Sequence, residues 1–198
     1  MKTETTPNPQ QIWSDLMVGN ERFRTGQPRP RDLRREREAV AQSQRPKALV
    51  LACSDSRVSP EIIFDQCLGD LFVVRIAGNV IDKLALGSLE FGAEELGVSL
   101  LVVIGHQSCG GVKAACSSDK AGSPNLKAIV KAIRASGAWP SVDPVGDASW
   151  CEAVKENARY VARSVLDRSD LLRDRAQRGD LAVVTAYYRL DTGVVERL

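Results

Sequence analysis

Ala48-Leu49-Val50-Leu51-Ala52-Cys53 is a short, unbroken apolar run that ends in a cysteine. A strand covered on both faces reads this way, because neither row of side chains meets water. Leu71 to Arg75 and Leu100 to Ile104 repeat the pattern, and the latter leads into Gly105-His106. Between these runs the period changes. Ser59-Pro60-Glu61 is a helix start, with a capping hydroxyl and a proline at the first helical position. Ala85 to Leu96 carries apolar residues at helical spacing, and Gly110 to Ala115 opens a further helix. Alternating strands and helices predict an α/β chain with a central, mostly parallel sheet flanked by helices. Right-handed crossovers place the loops that follow the strands along one edge of that sheet. Functional groups collect there, and Cys53 and His106 both stand at strand ends.

Outward from this centre, Ile12, Leu16, Asn20 and Phe23 predict an N-terminal helix that Gly26-Gln27-Pro28 stops. A charged helix is expected over Asp32 to Gln42, broken by Arg45-Pro46. On the other side, Ser117 to Asn125 and Ala138 to Asp147 read as turn-rich loops. One long helix is expected from Trp150 to Arg173, then a fourth strand over Leu181 to Tyr188. Asp191-Thr192-Gly193 is a turn signal, after which Val194-Val195 can pair back as a hairpin. The 198 residues suit one domain, with residues 1–45 as a helical arm and 46–198 as the α/β core.

Composition excludes several classes. A formal net charge of +2 gives no reason to expect a nucleic-acid partner. The arginines between Arg29 and Arg37 alternate with Asp32 and Glu36 and lack aromatic neighbours for stacking on bases. No run is apolar for the length of a membrane span. Met1 to Gln11 is polar and lacks the apolar core of a secretory signal, so a reducing cytoplasm is the expected compartment. Five cysteines, an odd number without an export signal, favour metal ligation or catalysis over a disulfide framework.

The chain has one histidine, and it opens His106-Gln107-Ser108-Cys109. An imidazole and a thiolate three positions apart can converge on one cation, and Cys53 supplies a third donor from another strand end. Zinc favours this sulfur and nitrogen set, and three protein ligands leave the fourth position open, as in a catalytic site. The same residues also read as a buried inert thiol and an exposed histidine. Asp55 and Arg57 are spaced to share the strand-end cavity. Arginine beside an aspartate keeps it ionised and holds it by forked hydrogen bonds, although a loop salt bridge looks the same in sequence.

Three motifs carry a resemblance. Cys53-Ser54-Asp55-Ser56-Arg57, Arg75-Ile76-Ala77-Gly78-Asn79 and Gly105-His106-Gln107-Ser108-Cys109-Gly110-Gly111 resemble those of the β-class carbonic anhydrases. The likeness runs from Asn20-Glu21-Arg22-Phe23 to Tyr187-Tyr188-Arg189-Leu190-Asp191-Thr192-Gly193. It implies one zinc per chain on Cys53, His106 and Cys109, and Asp55 and Arg57 as a catalytic dyad. The implied reaction is reversible hydration of carbon dioxide to bicarbonate by attack of zinc-bound hydroxide. It further implies a homodimer or larger homo-oligomer, with N-terminal helices packed on a partner subunit and sites at the interface. Val50 stands where one subtype carries a tryptophan. Gln44, Phe72 and Phe91 match the substrate pocket of the plant-like subtype, though plain core packing also accounts for the phenylalanines. Two other functions fit the scaffold: hydrolysis of carbon disulfide or carbonyl sulfide, and a zinc-bearing binding protein without turnover. Two thiolates cancel the formal charge of the metal, so its surroundings must restore its acidity. Cys67, Cys116 and Cys151 receive no role.

Overall fold

Strand β1 (Ala48–Ala52) is buried at every residue and lies between β2 (Leu71–Arg75) and β3 (Leu100–His106). The computed structural model describes residues 8–117, 122–137 and 147–198 of the chain, with side chains from 150 onward in the last stretch. Strands β4 (Ala182–Tyr188) and β5 (Val195–Arg197) complete one sheet in the order β2-β1-β3-β4-β5. All pairings are parallel except the final β4–β5 hairpin, where Tyr188 faces Val195.

Inside the apolar runs, alternate residues serve opposite faces. Val50, Ala52, Val102, Ile104 and Val184 pack with Ile12, Leu16 and Phe64 from helices α1 (Pro9–Arg24) and α3 (Pro60–Ile63) and the turn after α3. Leu49, Leu51, Leu101 and Val103 face α4 (Lys83–Glu94), α7 (Asp147–Arg168) and α8 (Asp170–Arg178), meeting Leu89, Val161, Val165 and Leu172. The charged α2 (Leu33–Val40) buries none of its residues.

Helix α1 lies on the sheet of its own chain. Ile12, Leu16, Gly19 and Asn20 are buried there. The Asn20 amide donates to Ile63 O at 3.1 Å and Gly193 O at 2.8 Å, and its oxygen accepts from Val195 N at 3.0 Å. The face of α1 that carries Ile12 and Leu16 packs on its own chain because its apolar stripe matches the face of β1 and β3 that it covers.

Three boundaries differ from the sequence expectation. The single helix expected over Trp150 to Arg173 is two helices. Ser169 accepts from Leu172 N at 3.2 Å and donates to Glu90 at 2.6 Å, so it caps a new helix instead of continuing the old one. Helix α6 (Pro124–Arg134) was not expected; Ser123 caps it through Leu126 N at 3.2 Å, and Pro124 is its first residue. The hydroxyl of Ser59 does not cap α3 and instead meets Glu61 at 3.3 Å. The loop expected over 138–147 falls almost wholly outside the described residues.

Strand order determines where a site forms. From β1 the chain crosses to β2 on one side, then returns through α4 to β3 on the other. The carboxyl ends of β1 and β3 therefore flank the point where winding reverses, and the connections diverge to leave a crevice.

Candidate metal centre

Three ligand-type side chains meet in that crevice. Cys53 follows β1, His106 is the last residue of β3, and Cys109 is the N-cap of α5 (Gly110–Cys116). Their two Sγ atoms and an imidazole nitrogen lie within 4.8 Å of one another, and all three residues are buried.

The turn from His106 to Cys109 is held from outside. Gln107 N donates to Tyr188 O at 2.8 Å, and the Gln107 side chain exchanges hydrogen bonds with Asp191 at 3.1 and 3.3 Å. Ser108 takes a φ of 54°, which turns the chain sharply enough to bring Cys109 back beside His106. Nδ1 of His106 lies 2.9 Å from Gln107 O. A carbonyl only accepts, so this contact assigns the proton to Nδ1 and leaves Nε2 as a bare lone pair. Nε2 is fully buried and has no hydrogen-bond partner among the described residues. A buried acceptor left unpaired costs roughly 1–3 kcal/mol, which a metal ion at this point removes.

The thiols titrate as a pair. Cys109 acts on Cys53 as a hydrogen-bond donor and lowers its pKa to about 4 against partial burial, assisted by the Gly78 amide. Cys109 is pushed upward, mainly by the Cys53 thiolate and then by burial, while the Gly111 and Val112 amides oppose the shift. Two thiols at this separation hold one negative charge between them, and the second proton leaves when a cation compensates. Two sulfurs, a bare imidazole nitrogen and this charge response fit zinc.

Gly78 ties the two ligand-bearing segments together. It lies in the short turn Ala77–Asn79 with φ 68°, and its N–H donates to Cys53 Sγ at 3.3 Å. A side chain at Gly78 would meet Ile133 Cδ1 at 2.5 Å, and one at Gly111 of α5 would meet Gly78 Cα and N at 3.3 Å. The missing Cβ atoms let α5 approach the turn that faces Cys53.

Asp55 stands at the rim. Its Oδ1 accepts from Arg57 N and Nε, both at 2.9 Å, and its Oδ2 accepts from Arg57 Nη2 at 2.7 Å. Oδ2 is 3.9 Å from His106 Nε2. The forked bond from Arg57 holds the Asp55 carboxyl well below the usual carboxylate range, against partial burial that raises it. Arg75 braces the backbone beneath through Cys53 O at 3.0 Å and Asp55 O at 2.5 Å.

The structure thus brings Cys53, His106, Cys109, Asp55 and Arg57 together. Gln44 is exposed on the segment before β1. Phe72 lies in the edge strand β2 opposite Leu49, with its ring 6.2 Å from that of Phe91, which is half exposed on α4. A cavity beside Cys109 is bounded by Val112 and Lys113 of α5 and by Trp150, Cys151 and Val154 of α7. Neither phenylalanine lines it, nor does Gln44. Sequence reading gave no role to Gly78 or to Asn157, whose amide donates to Gly78 O at 3.0 Å. The available signal for Asn157 was a polar residue at helical spacing among Val154, Ala158 and Val161.

Residues 48–195 match the family model for carbonic anhydrase. The chain is 41% identical to carbonic anhydrase 2 of Mycobacterium tuberculosis, over 94% of this chain and 91% of that one. It is 40% identical to the carbonic anhydrase of Mycolicibacterium smegmatis, covering 96% of this chain and 93% of that one. Among solved structures, the β-carbonic anhydrase CcaA superposes with a TM-score of 0.75 at 27% identity, over 94% of this chain and 87% of that one.

Proposed function

Because the chain belongs to the β-class carbonic anhydrases and is a zinc-dependent enzyme that reversibly hydrates carbon dioxide, we propose that Cys53, His106 and Cys109 hold one zinc per chain and that Asp55, oriented by Arg57, works beside it. The observation that carries this reading is the buried, unpaired Nε2 of His106, facing two thiols and lying 3.9 Å from an arginine-locked carboxylate.

Zinc, when bound, supplies the Lewis acidity that makes a nucleophilic water available near neutral pH. The chain supplies the rest. Arg57 occupies the outer lone pairs of Asp55, which leaves Oδ2 able to accept a hydrogen bond on the side facing His106. A charged acceptor already fixed in place orients the nucleophile without reorganising during the reaction. Adding water to carbon dioxide gives bicarbonate and one proton. His106 is a ligand and the only histidine, so water or buffer carries that proton to solvent.

The active unit is at least a dimer, and Gln44, Phe72 and Phe91 serve a pocket shared between subunits, as in the plant-like subtype. Support comes from the outer edge of β2, which has no strand beside it among the described residues, and from Phe91 at 48% and Leu84 at 82% exposure on the adjoining helix. A folded chain leaves this apolar face in water unless another subunit covers it. Val50 is buried within β1 against α1 and offers no tryptophan-like site for inhibition. A cytoplasmic location agrees with five free thiols, and no helix among the described residues is long and apolar enough to cross a membrane.

Asp55→Ala tests the assignment. It should keep zinc and lose at least about 100-fold in stopped-flow turnover of carbon dioxide, the scale of a positioned catalytic group. Turnover like that of the wild type would reduce the Asp55–Arg57 pair to a structural salt bridge.

A further inference from the structure

The zinc site carries a problem of charge. Two thiolates donate strongly to the metal and weaken its acidity, so a site that depends on acidity needs a group that draws charge from sulfur. Hydrogen bonds to coordinating sulfur do this, and residues that hold such donors in place tune a metal without touching it.

Asn157 is fully buried on α7, and its side chain reaches across to the turn beneath Cys53. The Gly78 carbonyl can only accept, which assigns the group 3.0 Å away as the Asn157 amide donor. The Asn157 oxygen has no partner among the described residues, so its one bond is this one. On the same residue, the Gly78 N–H points to Cys53 Sγ at 3.3 Å. Gly78 has a left-handed φ of 68°. The N–H and the carbonyl belong to the peptide planes on either side of the Gly78 Cα, so an anchor on the carbonyl restrains the φ and ψ that set where the N–H points. The helix that carries Asn157 is itself fixed close by. A Cβ at Gly105, the residue before His106, would meet Val154 Cγ1 at 2.8 Å and Val154 O at 3.3 Å, so α7 packs directly on β3 there.

We propose that Asn157 is a positioning residue for the zinc site: by holding the Gly78 carbonyl it aims the Gly78 N–H at Cys53 Sγ, and so moderates thiolate donation to the metal. The inference rests on Cys53 being a zinc ligand. Without Asn157 the turn loses its anchor, the N–H···S bond lengthens, and the sulfur becomes more electron-rich.

Two measurements on metal-loaded protein test this. In the wild type loaded with cadmium-113, NMR should show coupling of the metal to the Cys53 β-protons and, through the hydrogen bond, to the Gly78 amide proton. Asn157→Leu should lose the Gly78 coupling and keep the Cys53 coupling. With cobalt(II) in place of zinc, Asn157→Leu should move the sulfur-to-metal charge-transfer band to longer wavelength. The zinc form should lose about ten-fold in kcat with KM unchanged. Asn157→Ser leaves space for water at the Gly78 carbonyl and serves where the leucine variant does not fold. Wild-type cadmium coupling at Cys53 without any at Gly78 would overturn the inference and leave the ligand assignment standing. So would a variant with the wild-type cobalt band and wild-type kcat. Absence of coupling at Cys53 itself would instead refute the ligand assignment.

Discussion

Gly78→Ala should destabilise the protein through two separable terms. The first is conformational. Gly78 has φ 68° and ψ 18°, and an L-residue with a side chain pays about 1–2 kcal/mol to sit there. The second is steric. The new methyl would lie 2.5 Å from Cδ1 and 3.1 Å from Cγ1 of Ile133. Ile133 is fully buried, so it must shift within a packed region, at a cost of about 1–3 kcal/mol. Together the terms give about 2–5 kcal/mol, a large share of the roughly 5–15 kcal/mol that holds a typical domain together. Urea unfolding measures this, with zinc-saturated protein at one fixed concentration so that metal and assembly contribute equally throughout. Ile133→Val separates the two terms. It removes Cδ1, the closer contact, and by itself costs about 0.5–1.5 kcal/mol. In that background Gly78→Ala should cost the conformational part, about 1–2 kcal/mol, and only the smaller strain of the γ-carbon contact at 3.1 Å. Equal costs in both backgrounds would show that Ile133 does not confine the turn. A cost below about 0.5 kcal/mol in the wild type, the range of an indifferent surface change, would refute the reasoning entirely.

Cys53→Ser, His106→Ala and Cys109→Ser should each lose most of the bound zinc by metal analysis; full metal and activity in any one removes it from the ligand set. The pH response follows from Arg57, which holds the Asp55 pKa down. The stabilisation from that pair is complete above the unfolded carboxylate value, about 3.9, and is lost only as pH falls through it toward the lower folded value. Turnover across the neutral range should therefore follow a single ionisation. An abrupt, cooperative loss just above neutrality, with an Asp55 oxygen on the metal in a crystal structure, would contradict this. Sedimentation alongside an activity assay over a dilution series should show specific activity falling as the assembly dissociates; a fully active monomer would show that one chain builds the whole pocket. Gly19→Ala places a Cβ 1.8 Å from Phe64 O; backbone cannot yield as a side chain does, so α1 should undock and stability should drop by about 3 kcal/mol or more, measured by thermal unfolding.

Much of this was legible in the chain itself. Apolar runs such as Leu49 to Leu51 and Leu101 to Val103 demanded strands covered on both faces, because each residue in them had to leave water. The ligand types, their separation and the Asp55–Arg57 pair declared their chemistry, since few other uses suit those donors at that spacing. Cap signals were legible only in part. Ser123-Pro124 has the same form as Ser59-Pro60, yet it lay in a polar stretch and read as loop. Ser169 broke a helix that its surrounding periodicity appeared to continue.

Local patterning decides whether a segment is strand or helix, because backbone geometry and side-chain period act over a few residues. It therefore determined the α/β class, the parallel strands and the residues able to bind a metal. Neighbours distant in sequence are chosen by burial and pairing across the whole chain, and only the tertiary structure decided those. Strand order β2-β1-β3 put Cys53 and His106 on either side of one crevice. Packing of Val154 on Gly105 set α7 where Asn157 meets Gly78. Matching apolar faces laid α1 over its own sheet. None of these contacts lies within a helical turn or a strand repeat, and so none leaves a local signature.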